Sequence, residues 1–180
     1  MPVSLAEAKM HLRVDAADED GLIAGLIAAA TAHLDGWAGV LGRCLCEQTW
    51  RQDFDRFARV LRLPLGPVAS IASVTWRNAA GQVATVAGAN YLLRHDAAGS
   101  YLRFRDDFDF PTDLHCTAAV IATSVCGTSP EDTPAPIKAA MLLLVGHWYR
   151  NREDVVTGTI ATQLPASVSA LIAPYRRVGI

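Results

Sequence analysis

The residues best suited to chemistry form one acidic loop, Asp106–Asp109, which follows two arginines. Its three carboxylates fall within four residues, and clustered carboxylates can hold a divalent cation or share a proton. The loop lies between two runs that predict strands and leads into Pro111, so a solvated surface loop accounts for the same pattern. We therefore predict a surface loop, and a small metal-dependent hydrolase that uses Asp106–Asp109 stays open as an alternative function.

Cysteine and histidine patterns indicate no second chemical site. The four cysteines lack paired Cys-x-x-Cys spacing, so the sequence predicts reduced thiols and no zinc. The five histidines stand apart without the spacing of metal ligands. Cys126 closes a predicted strand with no base near it in sequence, and a nucleophilic cysteine needs such a base. No nucleophile elbow, phosphate-binding loop or dinucleotide fingerprint occurs. The prediction is a protein without catalytic residues, metal or cofactor.

Positive charge collects towards the C-terminus. Arg150 and Arg152 close a predicted helix, where cations complement the helix dipole. Pro174–Arg177 reads Pro-Tyr-Arg-Arg and lies beyond the segments that a core needs. Tyrosine and arginine are enriched at the centres of protein interfaces, so we predict that this end docks on a partner. A frayed terminus is the simpler alternative.

The composition limits the class of protein. At 180 residues the chain fits one domain of ordinary size. Its net charge of -2 disfavours a broad basic surface for nucleic acid. The N-terminus lacks the basic and apolar regions of an export signal, and the longest apolar stretch, Ile137–Val145, is too short to cross a bilayer. We expect synthesis in the cytoplasm and no membrane contact.

Helical and strand patterns occur in separate blocks. Ser4 and Glu7 have capping-box spacing ahead of a helix over about Leu5–Leu12. A longer apolar period predicts a helix from Asp18 or Glu19 to about Trp37 or Val40. Short alternating runs then predict strands, within 46–54, 59–64, 71–77, 82–86, 91–94, 101–103 and 116–126.

The C-terminal third returns to helical patterns. A long helix is predicted over Pro136–Arg152, and Pro165 opens a short one over Ala166–Ala173. The predicted fold class is α+β: N-terminal helices, a small mostly antiparallel sheet in the middle, then a long helix and a C-terminal arm with a short helix. The predicted division is a single α+β domain over 1–153 and a docking arm over 154–180.

Short motifs follow one another in a characteristic order along nearly the whole chain. They are, in order, Ser4–Val14, Asp18–Ile23, Ala28–Leu34, Gln48–Trp50, Leu63–Val68, Tyr91, Pro136–Ala140, His147–Glu153 and Pro174–Arg177. This succession resembles the head–tail connector, or portal adaptor, family of long-tailed phages and gene transfer agents.

The resemblance implies a structural virion protein rather than an enzyme. Family members form a ring, generally of twelve copies, at the head–tail junction between the portal and the next connector, stopper or tail-completion protein. DNA passes through the channel of such a ring without sequence-specific binding. The mild net acidity agrees with that expectation, because a basic lining would retain phosphates. A generic protein-binding module is a further alternative.

The resemblance also assigns roles to parts of this chain. It places portal docking on the C-terminal arm, and the candidate docking residues are Leu171, Pro174, Tyr175, Arg176 and Arg177. Ring contacts need two different patches on each subunit. We place these patches on the two long helices, and the candidate interface residues are Trp37, Trp148, Tyr149, Arg150 and Arg152.

Overall fold

The computed structural model describes residues 1–152 and 165–177. The chain divides into a helical unit, made of Met1–Cys46 and Ser129–Ile180, and a β unit, Glu47–Thr128. Helices precede and follow the strands in the sequence. The α+β class predicted from the sequence is confirmed.

Four helices build the described part of the helical unit. They are α1 (Leu5–Leu12), α2 (Asp20–Leu34), α3 (Ala135–Arg150) and α4 (Ala166–Ile172). The capping box before α1 is present: the Ser4 hydroxyl accepts from the Glu7 amide at 3.2 Å, and the Glu7 carboxylate accepts from the Ser4 amide at 2.7 Å. Two backbone donors that the first turn leaves unpaired are thereby satisfied.

Helix α2 ends at Leu34, three residues short of Trp37. Asp35 is extended, and Gly36 has a φ of 79°, a left-handed conformation that glycine adopts at little cost. The chain then folds back, and the amides of Val40 and Leu41 donate to the last carbonyls of α2. A returning loop therefore satisfies the helix end, and the apolar residues after Leu34 do not extend it.

The core of the helical unit lies between α2, α3 and α4. Its fully buried side chains recur at helical spacing on each, at Ile23, Ile27 and Leu34, at Ile137, Met141 and Leu144, and at Val168 and Ile172. This spacing matches the apolar period of an amphipathic helix.

The β unit contains seven strands: β1 (Gln48–Phe54), β2 (Val60–Arg62), β3 (Val68–Arg77), β4 (Val83–Thr85), β5 (Tyr91–Asp96), β6 (Gly99–Phe104) and β7 (Val120–Cys126). They pair antiparallel as two sheets, in the orders β1-β7-β3-β4 and β2-β6-β5. The predicted β3–β4 hairpin is present.

The β unit contains two sheets where the sequence predicted one, and side chains from both sheets pack in one core. Val74 and Val120 from the first sheet and Leu102 from the second are buried in one cluster. Phe57 and Phe104 pack in it edge to face at 5.4 Å between ring centroids, a favoured geometry for aromatic pairs.

Candidate functional site

The acidic loop lies at the edge of an open cavity in the β unit. The cavity has a volume of about 380 Å³ and is lined by Leu92, Arg103, Phe104, Arg105, Asp106 and Asp107. The Asp106 side chain is 83% exposed, and its closest cation is the Arg103 guanidinium at 3.5 Å. A long, solvated ion pair of this kind stabilises little.

The described residues offer no ready ligand set for a metal. Within 1–152 and 165–177, no three His, Cys, Asp or Glu side chains are grouped so that they could hold one ion. No disulfide joins any of the four cysteines. No described helix is long and apolar enough to span a membrane. Asp106, Asp107 and Asp109 therefore do not form a group that could hold a metal ion.

The predicted docking residues lie on the helical unit and fall into two groups. Leu171 and Tyr175 are half-buried against the core of their own unit. Pro174 and Arg176 are exposed. The Arg177 amide donates to the Leu41 carbonyl at 2.9 Å, which ties the C-terminal segment to the loop after α2. The segment is therefore packed on its own chain and presents part of its surface to solvent.

The predicted interface residues also fall into two groups, exposed residues and residues with contacts inside the chain. Trp37 is 66% exposed, and Arg150 is exposed at the end of α3. Trp148 is half-buried and meets the His33 ring edge to face at 6.2 Å. The Tyr149 hydroxyl and the Arg152 guanidinium both donate hydrogen bonds to Glu19 of the same chain. The assignment of these five residues to a subunit interface stays a prediction.

Glu19 joins the start of α2 to the end of α3, whereas the sequence pattern indicated only a possible cap at this position. Its carboxylate accepts hydrogen bonds from the Tyr149 hydroxyl and, at 2.6 Å, from the Arg152 guanidinium. That guanidinium also lies over the Tyr149 ring at 4.7 Å, as in a cation–π contact. The hydrogen bond from Tyr149 and then that from Arg152 lower the pKa of Glu19, and the bond to Glu19 raises the pKa of Tyr149.

Replacing Glu19 by glutamine is expected to weaken its contact with Tyr149 and Arg152. It should also reduce the dependence of the protein's stability on pH. Because the pKa of Glu19 is lowered in the folded chain, the stability it supplies is present above the ordinary glutamate pKa of about 4.3 and is lost as pH falls through the lowered value. Thermal unfolding should therefore show a lower Tm for Glu19→Gln at pH 7 and a shallower fall of Tm below about pH 5. Asp18→Asn, which neutralises a neighbouring exposed carboxylate, is the control. An equal fall of Tm with decreasing pH in the wild type and in Glu19→Gln would contradict a stabilising role for the Glu19 carboxylate.

The outer face of α2 is apolar, although it is exposed. From Gly21 to Ala32 the helix has no charged residue, and its exposed positions are Gly21, Leu22, Ala24, Gly25, Ala28, Ala29 and Ala32. A Cβ added at Gly21 or Gly25 would meet nothing within 4 Å. A helix that is apolar all round is normally buried, so this face has the character of a surface covered by another molecule.

The fold is similar over its length to proteins of gene transfer agent particles. A chain of the neck of an empty GTA particle, computed with C6 symmetry, matches with a TM-score of 0.76 and 26% identity, covering 99% of this chain and 91% of that chain. A chain of the virion of a native gene transfer agent particle matches at 0.74 and 24%, covering 99% and 91%. A chain of the neck of a native GTA particle, computed with C12 symmetry, matches at 0.67 and 23%, covering 98% and 89%. No protein-family model and no curated protein matches the sequence.

These similarities confirm, at the level of the whole-chain fold, the resemblance predicted from the sequence motifs. They are consistent with a head–tail connector protein. The predicted division after residue 153 and the predicted loop over 154–164 both fall within residues 153–164, which lie outside the described residues. That division stays a prediction.

Proposed function

We propose that this protein is a head–tail connector of a phage or gene transfer agent particle. It forms a ring, with twelve copies in the particle, between the portal and the next connector, stopper or tail-completion protein. DNA passes through the channel of the ring without sequence-specific binding. The role is structural, not enzymatic, and the protein functions at the head–tail junction of the virion.

The fold supports this proposal more than any single residue does. Similarity at a TM-score of 0.76 covers nearly all of both chains, so it includes the helical unit, the β unit and the C-terminal segment. The similar chains belong to necks computed with C6 and C12 symmetry. Repeated copies around one axis agree with a subunit that has apolar surface to cover.

The outer face of α2 supplies one of the two ring patches in our proposal. Its exposed glycines and alanines leave the helix backbone close to the surface, and glycine costs about 1 kcal/mol relative to alanine in a helix interior. Close approach of a neighbouring subunit is a physical reason to keep glycine at Gly21 and Gly25. The occupant of this face is a second copy, held through a different patch of its own surface.

The exposed part of the C-terminal segment supplies the portal contact. Pro174 and Arg176 point away from the core that holds Leu171 and Tyr175. Removal of an arginine side chain at the centre of an interface can weaken the free energy of binding by about 2 kcal/mol or more. Leu171 and Tyr175 then act mainly by holding Pro174 and Arg176 in place.

Mass determination of the purified protein, alone and mixed with its candidate portal, tests the proposal. The expected result is a ring or a portal complex. Arg176→Glu should weaken portal binding by at least about 10-fold, since it reverses a charge at a contact worth about 2 kcal/mol. Arg94→Glu, a reversal at an exposed arginine of the β unit, should leave binding unchanged. A protein that stays monomeric at high concentration and does not bind the portal would contradict the connector function.

A further inference from the structure

The loop after α2, residues 35–45, presents a large aromatic side chain on a well-fixed backbone. The Gly36 amide donates to the Arg43 carbonyl at 2.9 Å, and the Leu45 amide donates to the Asp35 carboxylate at 2.6 Å. These bonds close the loop at its base. Trp37, next to Gly36, is 66% exposed. A fixed loop presents such a side chain at low entropic cost on binding.

Trp37 is unusual among the exposed side chains. Of the large hydrophobic residues that are exposed in the described part of the chain, it is the one aromatic; the others are Met1, Met10, Leu22, Val60, Val83 and Leu92. Tryptophan is the residue type most enriched in binding hot spots, together with tyrosine and arginine. Among the described residues, Trp37 is not one of those that pack on the core of the helical unit.

The same loop holds the C-terminal segment. Arg177 donates its amide to Leu41, and a Cβ at Gly42 would lie 3.7 Å from the Arg177 Cβ. Leu41 is four residues beyond Trp37, a distance of at most about 14 Å even for extended chain. The loop that presents Trp37 is therefore in direct contact with the C-terminal segment within the helical unit.

The charge of these two segments differs from that of the whole chain. Residues 35–45 and 174–177 carry Arg43, Arg176 and Arg177 against the single carboxylate of Asp35, a net charge of +2. The chain as a whole has a net charge of -2. Of the three arginines, Arg176 is exposed, whereas Arg43 and Arg177 are half-buried. An exposed arginine together with an exposed indole complements a partner surface that offers carboxylates around an apolar pocket.

We propose that Trp37 and the exposed C-terminal residues Pro174 and Arg176 form a single docking surface for an acidic protein partner, with Trp37 as its apolar anchor. This inference rests on the proposed function, in which that partner is the portal. It moves Trp37 from the contact between subunits to the contact with the portal. The surface is assembled in the free chain, because the hydrogen bond between Arg177 and Leu41 already holds its two parts together.

The alternative occupants fit this surface less well. A second copy of a chain with net charge -2 gains less from a basic patch than a strongly acidic partner does. DNA would use the arginines but not the exposed indole, since phosphate contacts supply most of its non-specific binding. Charge and apolar anchor together favour an acidic protein.

The test compares portal binding and ring mass for Trp37→Ala in the full-length chain. We expect portal affinity to fall at least about 10-fold, as for loss of an interface anchor, while ring mass and Tm stay at the wild-type values. Trp37→Phe should recover part of the affinity. Val83→Ala, which shortens an exposed apolar side chain of the β unit, should change neither property.

The possible outcomes separate this inference from the proposed function. If the wild type binds the portal and Trp37→Ala binds equally well, the docking surface is wrong and the connector function stands. If Trp37→Ala abolishes the ring, Trp37 belongs to the subunit contact, as the sequence predicted, and the inference is wrong. Failure of the wild type to bind any portal would overturn both.

Discussion

Truncation after Leu164 is expected to lower the free energy of unfolding of the helical unit by about 3–6 kcal/mol, since fully burying a Val, Leu or Ile side chain is worth about 1.5–3 kcal/mol. The truncation removes α4, whose Val168 and Ile172 are 0% and 1% exposed. It also uncovers the apolar surface against which Leu171 and Tyr175 pack. This loss is a large fraction of the 5–15 kcal/mol typical of a domain.

Urea denaturation of the full-length and truncated chains measures this effect. Arg176→Glu is the matched control, because it changes the same segment at an exposed position and should leave stability within about 0.5 kcal/mol of wild type. Equal denaturation midpoints for the truncated and full-length chains would show that α4 does not stabilise the unit. If the expected loss is found, portal binding must be mapped with point variants, because a truncated chain loses stability as well as the docking residues.

Replacing Ala28 by arginine is expected to convert the proposed ring into monomers. Ala28 lies on the exposed apolar face of α2, so the substitution should cost the isolated subunit less than about 0.5 kcal/mol. In a closely packed subunit contact, the same side chain would clash and bury a charge without a partner. Unpaired buried charge costs several kcal/mol, and this cost recurs at every contact around the ring.

Native mass measurement and circular dichroism together test this result. Ala6→Arg, at an exposed alanine of α1, is the control and should leave the ring intact. We expect Ala28→Arg to give a folded monomer with wild-type helical content. A ring of unchanged mass and stability in both variants would remove α2 from the subunit contact and leave the other patches to be tested.

The sequence alone determined the features that depend on neighbours in the chain. The capping box of Ser4 and Glu7 set the start of α1 to the residue. Alternating side chains located each strand to within a few residues, and the turn after Arg77 identified the hairpin. The apolar period of α3 gave its length to within two residues. These features arise from local hydrogen bonds and periodicity, which a sequence displays directly.

Tertiary structure decided the features that depend on distant parts of the chain. The returning loop ended α2 at Leu34, although its apolar residues continue to Trp37. Glu19 binds Tyr149, 130 residues away, and the Leu41 carbonyl receives the Arg177 amide. No local pattern encodes such pairs, because many carboxylates and carbonyls could satisfy the same donors and only packing brings one of them within reach. The exposed apolar face of α2 was hidden for the same reason: its alanines look like core residues until the structure shows which side the core occupies.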